Sequence, residues 1–174
     1  MRRIQVITSA SGNGGTTLAK ELAARLELPF HELDALFWRP GWAETPKDQF
    51  RELVEPVIAG EEWVIDGNYH GKLGDLILRR AELVIWLDLP VYVWLPRLVR
   101  RTVRRALTRE PLWNGNRETL RSALLSTDSL LLFALRVYRS RRRTYPARLA
   151  RLRHVRLRST AEVERFLSSV SPAT

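Results

Sequence analysis

The 174-residue chain predicts an α/β fold, a parallel sheet wrapped by helices. Three observations carry that expectation. Short apolar runs alternate with amphipathic helical stretches in the order β-α-β-α-β-β-α-α-β-α. The first run, Ile4-Gln5-Val6-Ile7, passes through a loop of small residues directly into a helix. Two later runs, Trp63-Val64-Ile65 and Leu83 to Leu87, close on Asp66 and Asp88, at the strand tips where open α/β sheets gather ligands.

The stretch from Ile4 to Leu26 organises the rest. After the strand comes Ser9-Ala10-Ser11-Gly12-Asn13-Gly14-Gly15, then a helix opened by Thr16 and Thr17 with Leu18, Leu22 and Leu26 on one face. Strand, glycine loop and helix form the order of a phosphate-binding loop. Loop N–H groups and the helix N-terminus suit a polyphosphate, and the Thr16 hydroxyl stands where Mg²⁺ takes an oxygen ligand. Laid on G-x-x-x-x-G-K-[ST], Ser9 to Thr16 reads S-A-S-G-N-G-G-T. Ser9 replaces the first glycine, and Gly15 replaces the lysine that carries charge to the β- and γ-phosphates. Taken alone, the stretch is either a phosphate cradle or a strand-to-helix turn without a ligand.

Length and 45% apolar content suffice for one domain with a real core over residues 1–174. With no cysteine there is neither a disulfide framework nor a thiolate metal site, which agrees with a cytoplasmic protein. The apolar run after Arg2-Arg3 is too short for a signal-peptide core. Leu83 to Leu95 is cut by Asp88 and Pro90, so no membrane span is expected. Residues 1–90 hold 10 basic and 14 acidic side chains, whereas residues 91–174 hold 19 and 5. An Arg-rich genome explains part of that bias. The +14 half is still suited to phosphates or to non-specific contact with nucleic acid.

Along the chain, Leu28 to Asp34 reads as a short strand with Asp34 just past its end, facing substrate or capping its own turn. His31 sits within the strand and has no expected catalytic role. Leu36 to Trp42 is an aromatic loop with Arg39, either a substrate wall or a packed corner. Thr45 is the expected N-cap of the next helix, with Pro46 in its first turn, Asp48 completing a capping box, and Gly60 ending it. Of the two strand-end acids, Asp66 is the expected functional one and Asp88 a structural anchor. Residues 91–109 form a long helix with Arg97, Arg101 and Arg105 one above another, and with Pro96 in the first turn if the helix begins near Leu95. This stripe is either a solvated basic face or part of a lid, since it leads into a turn-rich segment through Arg117. A helical stretch from Leu120 to Arg143 follows, then a strand at His154 to Arg158 and a last helix with a capping box at Ser159 to Glu162.

With those pieces assembled, the chain resembles the adenylate-kinase-like P-loop kinases, and more narrowly the bacterial group called DNA topology modulation proteins. SASGNGGTT, HELDALFWRPGW with Glu44-Thr45-Pro46, VIDGNY, and VIWLDLP before the Arg-rich helix carry the resemblance, and LWNGNRETLR resembles the lid of actinobacterial members. The resemblance implies a three-layer α/β/α fold with a five-stranded parallel sheet in the order 2-3-1-4-5, an Arg-rich lid at about 109–125, and ATP with Mg²⁺. Gly12, Asn13, Gly14, Gly15, Thr16 and Thr17 would wrap the phosphates, and Thr16 and Asp66 would serve Mg²⁺. Asp34, Trp38, Arg39, Gly67 and Asn68 would face a nucleotide or other small acceptor. Asp34 and Asp66, with Arg97, Arg101 and Arg117 as lid cations, would make up the catalytic set.

Gly15 departs from that pattern. A charge-assisted phosphate contact contributes about 1.5–3 kcal/mol, and loss of one transition-state donor costs on the order of 10²–10³ in rate. Lys20 lies more than a helical turn away and cannot substitute from its own position. Three readings therefore compete: a kinase weakened by Gly15, a nucleotide-binding regulator without transfer chemistry, and a nucleic-acid-binding protein using the basic half, with Arg141, Arg142 and Arg143 as its contacts.

Overall fold

A computed structural model describes residues 2–118 and 130–170. Five strands form one parallel sheet: β1 (Arg3–Thr8), β2 (Phe30–Glu32), β3 (Trp63–Asp66), β4 (Leu83–Leu87) and β5 (His154–Leu157). Their spatial order is β2-β3-β1-β4-β5, as the resemblance implied. Side chains alternate across each strand, so the sheet supplies two apolar faces. Ile4, Val6, Val64, Ile85 and Leu157 pack with Leu18 and Leu22 of α1 (Gly15–Leu26) and with Val163 and Phe166 of α7 (Thr160–Ser169). On the other face, Trp63 and Ile65 meet Phe50, Val54 and Ile58 of α3 (Lys47–Ala59). There Ile7, Val84 and Trp86 meet Tyr145 and Leu149 of α6 (Leu130–Leu149). The result is three layers.

The register puts Val6 opposite Asp66 and Glu32 opposite Asp66 from the other side, with Thr8 opposite Leu87. The strand tips thus share one edge, and every candidate acid falls on or just beyond it.

Several local expectations change. The sequence pattern ran β3 straight into β4, but these parallel strands lie on either side of β1 and need a crossover. Residues 67–82 supply it with the one-turn helix α4 (His70–Leu73) and successive turns. The aromatic loop contains a short helix α2 (Leu33–Phe37), whose first turn holds Asp34, and a two-residue antiparallel ribbon pairing Trp38 with Glu44 and Arg39 with Ala43. Thr45 does not cap α3. It is buried, and its hydroxyl donates to the carbonyls of Leu36 and Phe37, closing the aromatic loop instead. α5 spans Val91–Thr108 and begins behind Pro90, so Pro96 lies inside it rather than in its first turn. The carbonyl left without a donor is that of Tyr92, whose side chain is 80% exposed, so solvent is at hand. α6 continues past Arg143 to Leu149, and residues 120–129 of the expected helical stretch lie outside the described residues. The last helix is capped as expected, with the Ser159 hydroxyl accepting from Glu162 N–H.

Candidate functional site

The glycine loop crosses the tip of β1 and delivers the chain into α1. Gly12 and Gly14 take positive φ (85° and 89°), and Gly14 is the N-cap. Gly12 also lies so close to α5 that a Cβ would stand 2.7 Å from the Trp94 carbonyl, so no other residue fits there. Asn13 is fully buried and pins the loop from below. Its amide donates to the Ala10 carbonyl, and its Oδ1 accepts from Leu89 N–H at 3.0 Å. Thr17 is exposed at the start of α1.

Asp88 anchors the same loop. Its carboxylate accepts from the Ser9 hydroxyl at 2.6 Å and from Arg156, with Arg142 Nε at 3.2 Å. Trp86 Nε1 donates to the same Ser9 oxygen. Asp88 is therefore satisfied within the protein and occupied in holding Ser9, as the sequence suggested.

Asp66 has a different setting. It is buried at the tip of β3, and its Oδ2 accepts from the Thr16 hydroxyl at 2.6 Å. Burial pushes its carboxyl up to about 7, against the Thr16 hydrogen bond, and the nearby charges of Asp34 and Glu32 add to the rise. Among the described residues this desolvated carboxylate, with other acids nearby, is bonded to one hydroxyl and to no cation, and Lys20 acts on it only through its charge. One hydroxyl and one carboxylate are the donor set Mg²⁺ uses when phosphates and water supply the remaining ligands, so these residues fit the ion. Among the described residues, no group of three or more His, Cys, Asp or Glu side chains is arranged to hold a metal by itself.

Asp34 is bonded by the Tyr69 hydroxyl. Burial raises its carboxyl above the usual range, and the Tyr69 hydrogen bond and the charges of Arg101 and Arg141 draw it back. Tyr69 packs against both Phe37 and Phe50, with ring centroids at 4.5 and 5.0 Å, in a three-ring cluster that fixes the hydroxyl. Gly67 (φ 128°) packs on Leu33, and its carbonyl accepts from Gln5 Nε2 at 3.0 Å. Asn68 donates from its side chain to the Tyr145 hydroxyl.

The other predicted residues scatter. The Arg39 side chain is exposed and donates to Gln49 of α3. Trp38 stacks edge-on with Phe37 and Trp42. Arg97 and Arg101, with Arg100 and Arg104, line an open cleft of about 190 Å³. Arg101 Nε is buried and has no hydrogen-bond partner among the described residues, and burial, with Arg105 beside it, lowers the guanidinium from its usual range. The Arg117 side chain is exposed, while its carbonyl accepts from Trp42 Nε1. Residues 113–117 dock on the aromatic loop. Buried Asn116 accepts from Trp42 N–H and donates to the carbonyls of Arg39 and Trp113. The lid expected at 109–125 is described only to residue 118.

Sequence reasoning missed three side chains at this edge. Glu32 is the last residue of β2 and faces Asp66 by register. Tyr69 fixes Asp34. Arg141 of α6 donates from Nη1 to the Thr8 carbonyl at 3.0 Å, at the tip of β1. In sequence, Arg141 was one member of an arginine run suited to nucleic acid. In the fold, Arg141 turns inward to Thr8, Arg142 reaches Asp88 from the exposed rim, and Arg143 stays exposed.

No protein-family model matches the sequence. No curated protein matches it either. Solved structures do. Shikimate kinase from Acinetobacter baumannii in complex with shikimate superposes with a TM-score of 0.62 at 16% identity, over 97% of this chain and 92% of that one. Shikimate kinase from Bacteroides thetaiotaomicron gives 0.59 at 17%, over 96% and 94%. A sugar kinase from Janibacter sp. gives 0.55 at 20%, over 97% and 94%. The chain has the fold of P-loop kinases. Among the described residues, no helix is long and apolar enough to cross a membrane.

Proposed function

We propose that the chain is an ATP-dependent phosphotransferase acting on a small hydroxyl-bearing molecule or a nucleotide, related to the topology-modulation group of P-loop kinases. One observation carries this reading: the 2.6 Å Thr16–Asp66 pair at the mouth of a glycine loop and helix N-terminus, on a sheet of P-loop kinase order. N–H groups of Gly12 to Thr17 would wrap the phosphates, with Gly12 and Gly14 giving the curl. The Thr16 hydroxyl and Asp66 carboxylate would hold Mg²⁺, which when bound neutralises phosphate charge.

Asp34, steadied by Tyr69, would take the proton from the acceptor hydroxyl. That oxygen bonds to the γ-phosphorus as the bond to the ADP oxygen breaks. Arg101, half-buried and close enough to Asp34 to influence it, would meet charge on the transferring group, with Arg97 and Arg117 as further lid cations. Trp38 and the Gly67-Asn68 turn would border the acceptor.

Gly15 specifically favours a second reading, a nucleotide-binding regulator without transfer. Incubation with Mg²⁺ and γ-labelled ATP against a panel of polyols, sugar acids and nucleosides separates the two. A labelled product that disappears with Asp34→Asn supports the kinase. Nucleotide binding with no labelled acceptor across the panel supports the regulator.

A further inference from the structure

We propose that Arg141 supplies to the β- and γ-phosphates the positive charge that position 15 lacks; this rests on the nucleotide-binding reading above. The space a side chain at position 15 would enter is already taken. A Cβ on Gly15 would lie 2.6 Å from Thr8 Cγ2 and 3.0 Å from Asp66 Oδ1. Thr8 is also the residue whose carbonyl accepts from Arg141 Nη1 at 3.0 Å, across 133 positions of sequence. Thr8 thus crowds the place of the missing side chain with its methyl and holds the Arg141 guanidinium with its carbonyl.

Several other cations near the loop have partners of their own, and Arg97 and Arg101 line the cleft along α5 instead. Lys20 Nζ lies 5.6 Å from the centre of the Phe30 ring. Arg156 and Arg142 are paired with Asp88, and Arg105 with Glu118. Arg141 pairs with no carboxylate among the described residues, and its single bond there goes to a backbone carbonyl. A guanidinium has five donors, so several remain for an anion. Its charge is felt at Asp34, Tyr69 and Tyr145, which places it over the crevice rather than on the outer face of α6. A phosphate in the loop would meet both its charge and its remaining N–H donors.

The test is calorimetric titration of MgATP and of AMP into the full chain and into Arg141→Gln, Arg141→Lys and Arg143→Ala, each checked for its unfolding midpoint. Glutamine keeps an N–H for the Thr8 carbonyl and removes the charge. Arg141→Gln is expected to weaken MgATP binding about 10- to 100-fold while AMP is unchanged. Arg141→Lys restores most of the affinity, and Arg143→Ala stays within about twofold of the native chain. If Arg141→Gln binds MgATP as the native chain does, or if Gln and Lys weaken it equally, the role of Arg141 is overturned while the nucleotide site stands. If the native chain binds no nucleotide, both fall.

Discussion

Thr8 and Gly15 share one space: the Cβ that glycine lacks would stand 2.6 Å from Thr8 Cγ2. The glycine at the lysine position is therefore matched by its neighbour, and the loop is packed for it. Gly15→Lys alone should destabilise the chain by about 1–3 kcal/mol, because β-branched Thr8 must leave its rotamer beside a packed strand. Gly15→Lys combined with Thr8→Ser, which removes the obstructing methyl, should recover most of that loss. Denaturant unfolding of the two variants measures the difference.

Asp66 carries a pH signature with a definite sign. Its carboxyl holds a proton in the folded chain up to about 7, against 3.8 as the ordinary value. Between those limits the folded chain binds more protons than the unfolded one, so this group's contribution to stability falls as pH rises through the window and levels above it. Asp66→Asn should remove that fall and be more stable than the native chain at pH 8. Unfolding midpoints across this range provide the check.

Tyr69→Phe removes the hydroxyl that lowers the Asp34 carboxyl while leaving the ring packed on Phe37 and Phe50. Asp34 should then ionise at higher pH. The acid limb of the turnover profile should move upward, with nucleotide affinity unchanged.

Asp88 holds Ser9 and Arg156 in a buried network with Arg142 at its partly exposed rim. Asp88→Ala should cost about 3 kcal/mol, since it leaves the Arg156 charge and the Ser9 hydroxyl without their partner. It should also loosen the glycine loop, read as faster amide exchange over residues 9–15.

Asn116 joins the segment after α5 to the aromatic loop through Trp42, Arg39 and Trp113. Asn116→Ala should free that segment at a cost of about 1–3 kcal/mol. Exposure of Trp42 and Trp113, whose ring centroids lie 6.3 Å apart, should shift tryptophan emission to the red.

The layer order was legible because its signals are local. Apolar strands, a glycine loop and strand-end acids can be read within a few residues, and the strand order followed from the resemblance of those motifs. Asp88 could be separated from Asp66 by position, and Asn13 falls inside the loop motif. Pairings made across the fold left no local trace. Arg141 reaches Thr8 over 133 positions, and within its arginine run nothing marks it from Arg143. Glu32 matters through register with Asp66, and Thr45 lost its cap role to carbonyls only the folded aromatic loop presents. The 67–82 crossover was hidden because its helix is a single turn without an amphipathic period.

The most direct measurement is titration of ATP into the full chain at pH 8, once with Mg²⁺ and once with chelator, alongside Asp66→Asn. Saturable one-to-one binding that tightens with Mg²⁺ in the native chain, and loses that gain in Asp66→Asn, is the predicted result. No binding in either condition, or a Mg²⁺ gain that survives Asp66→Asn, would contradict the assignment of the glycine loop, Thr16 and Asp66 as a Mg²⁺–nucleotide site.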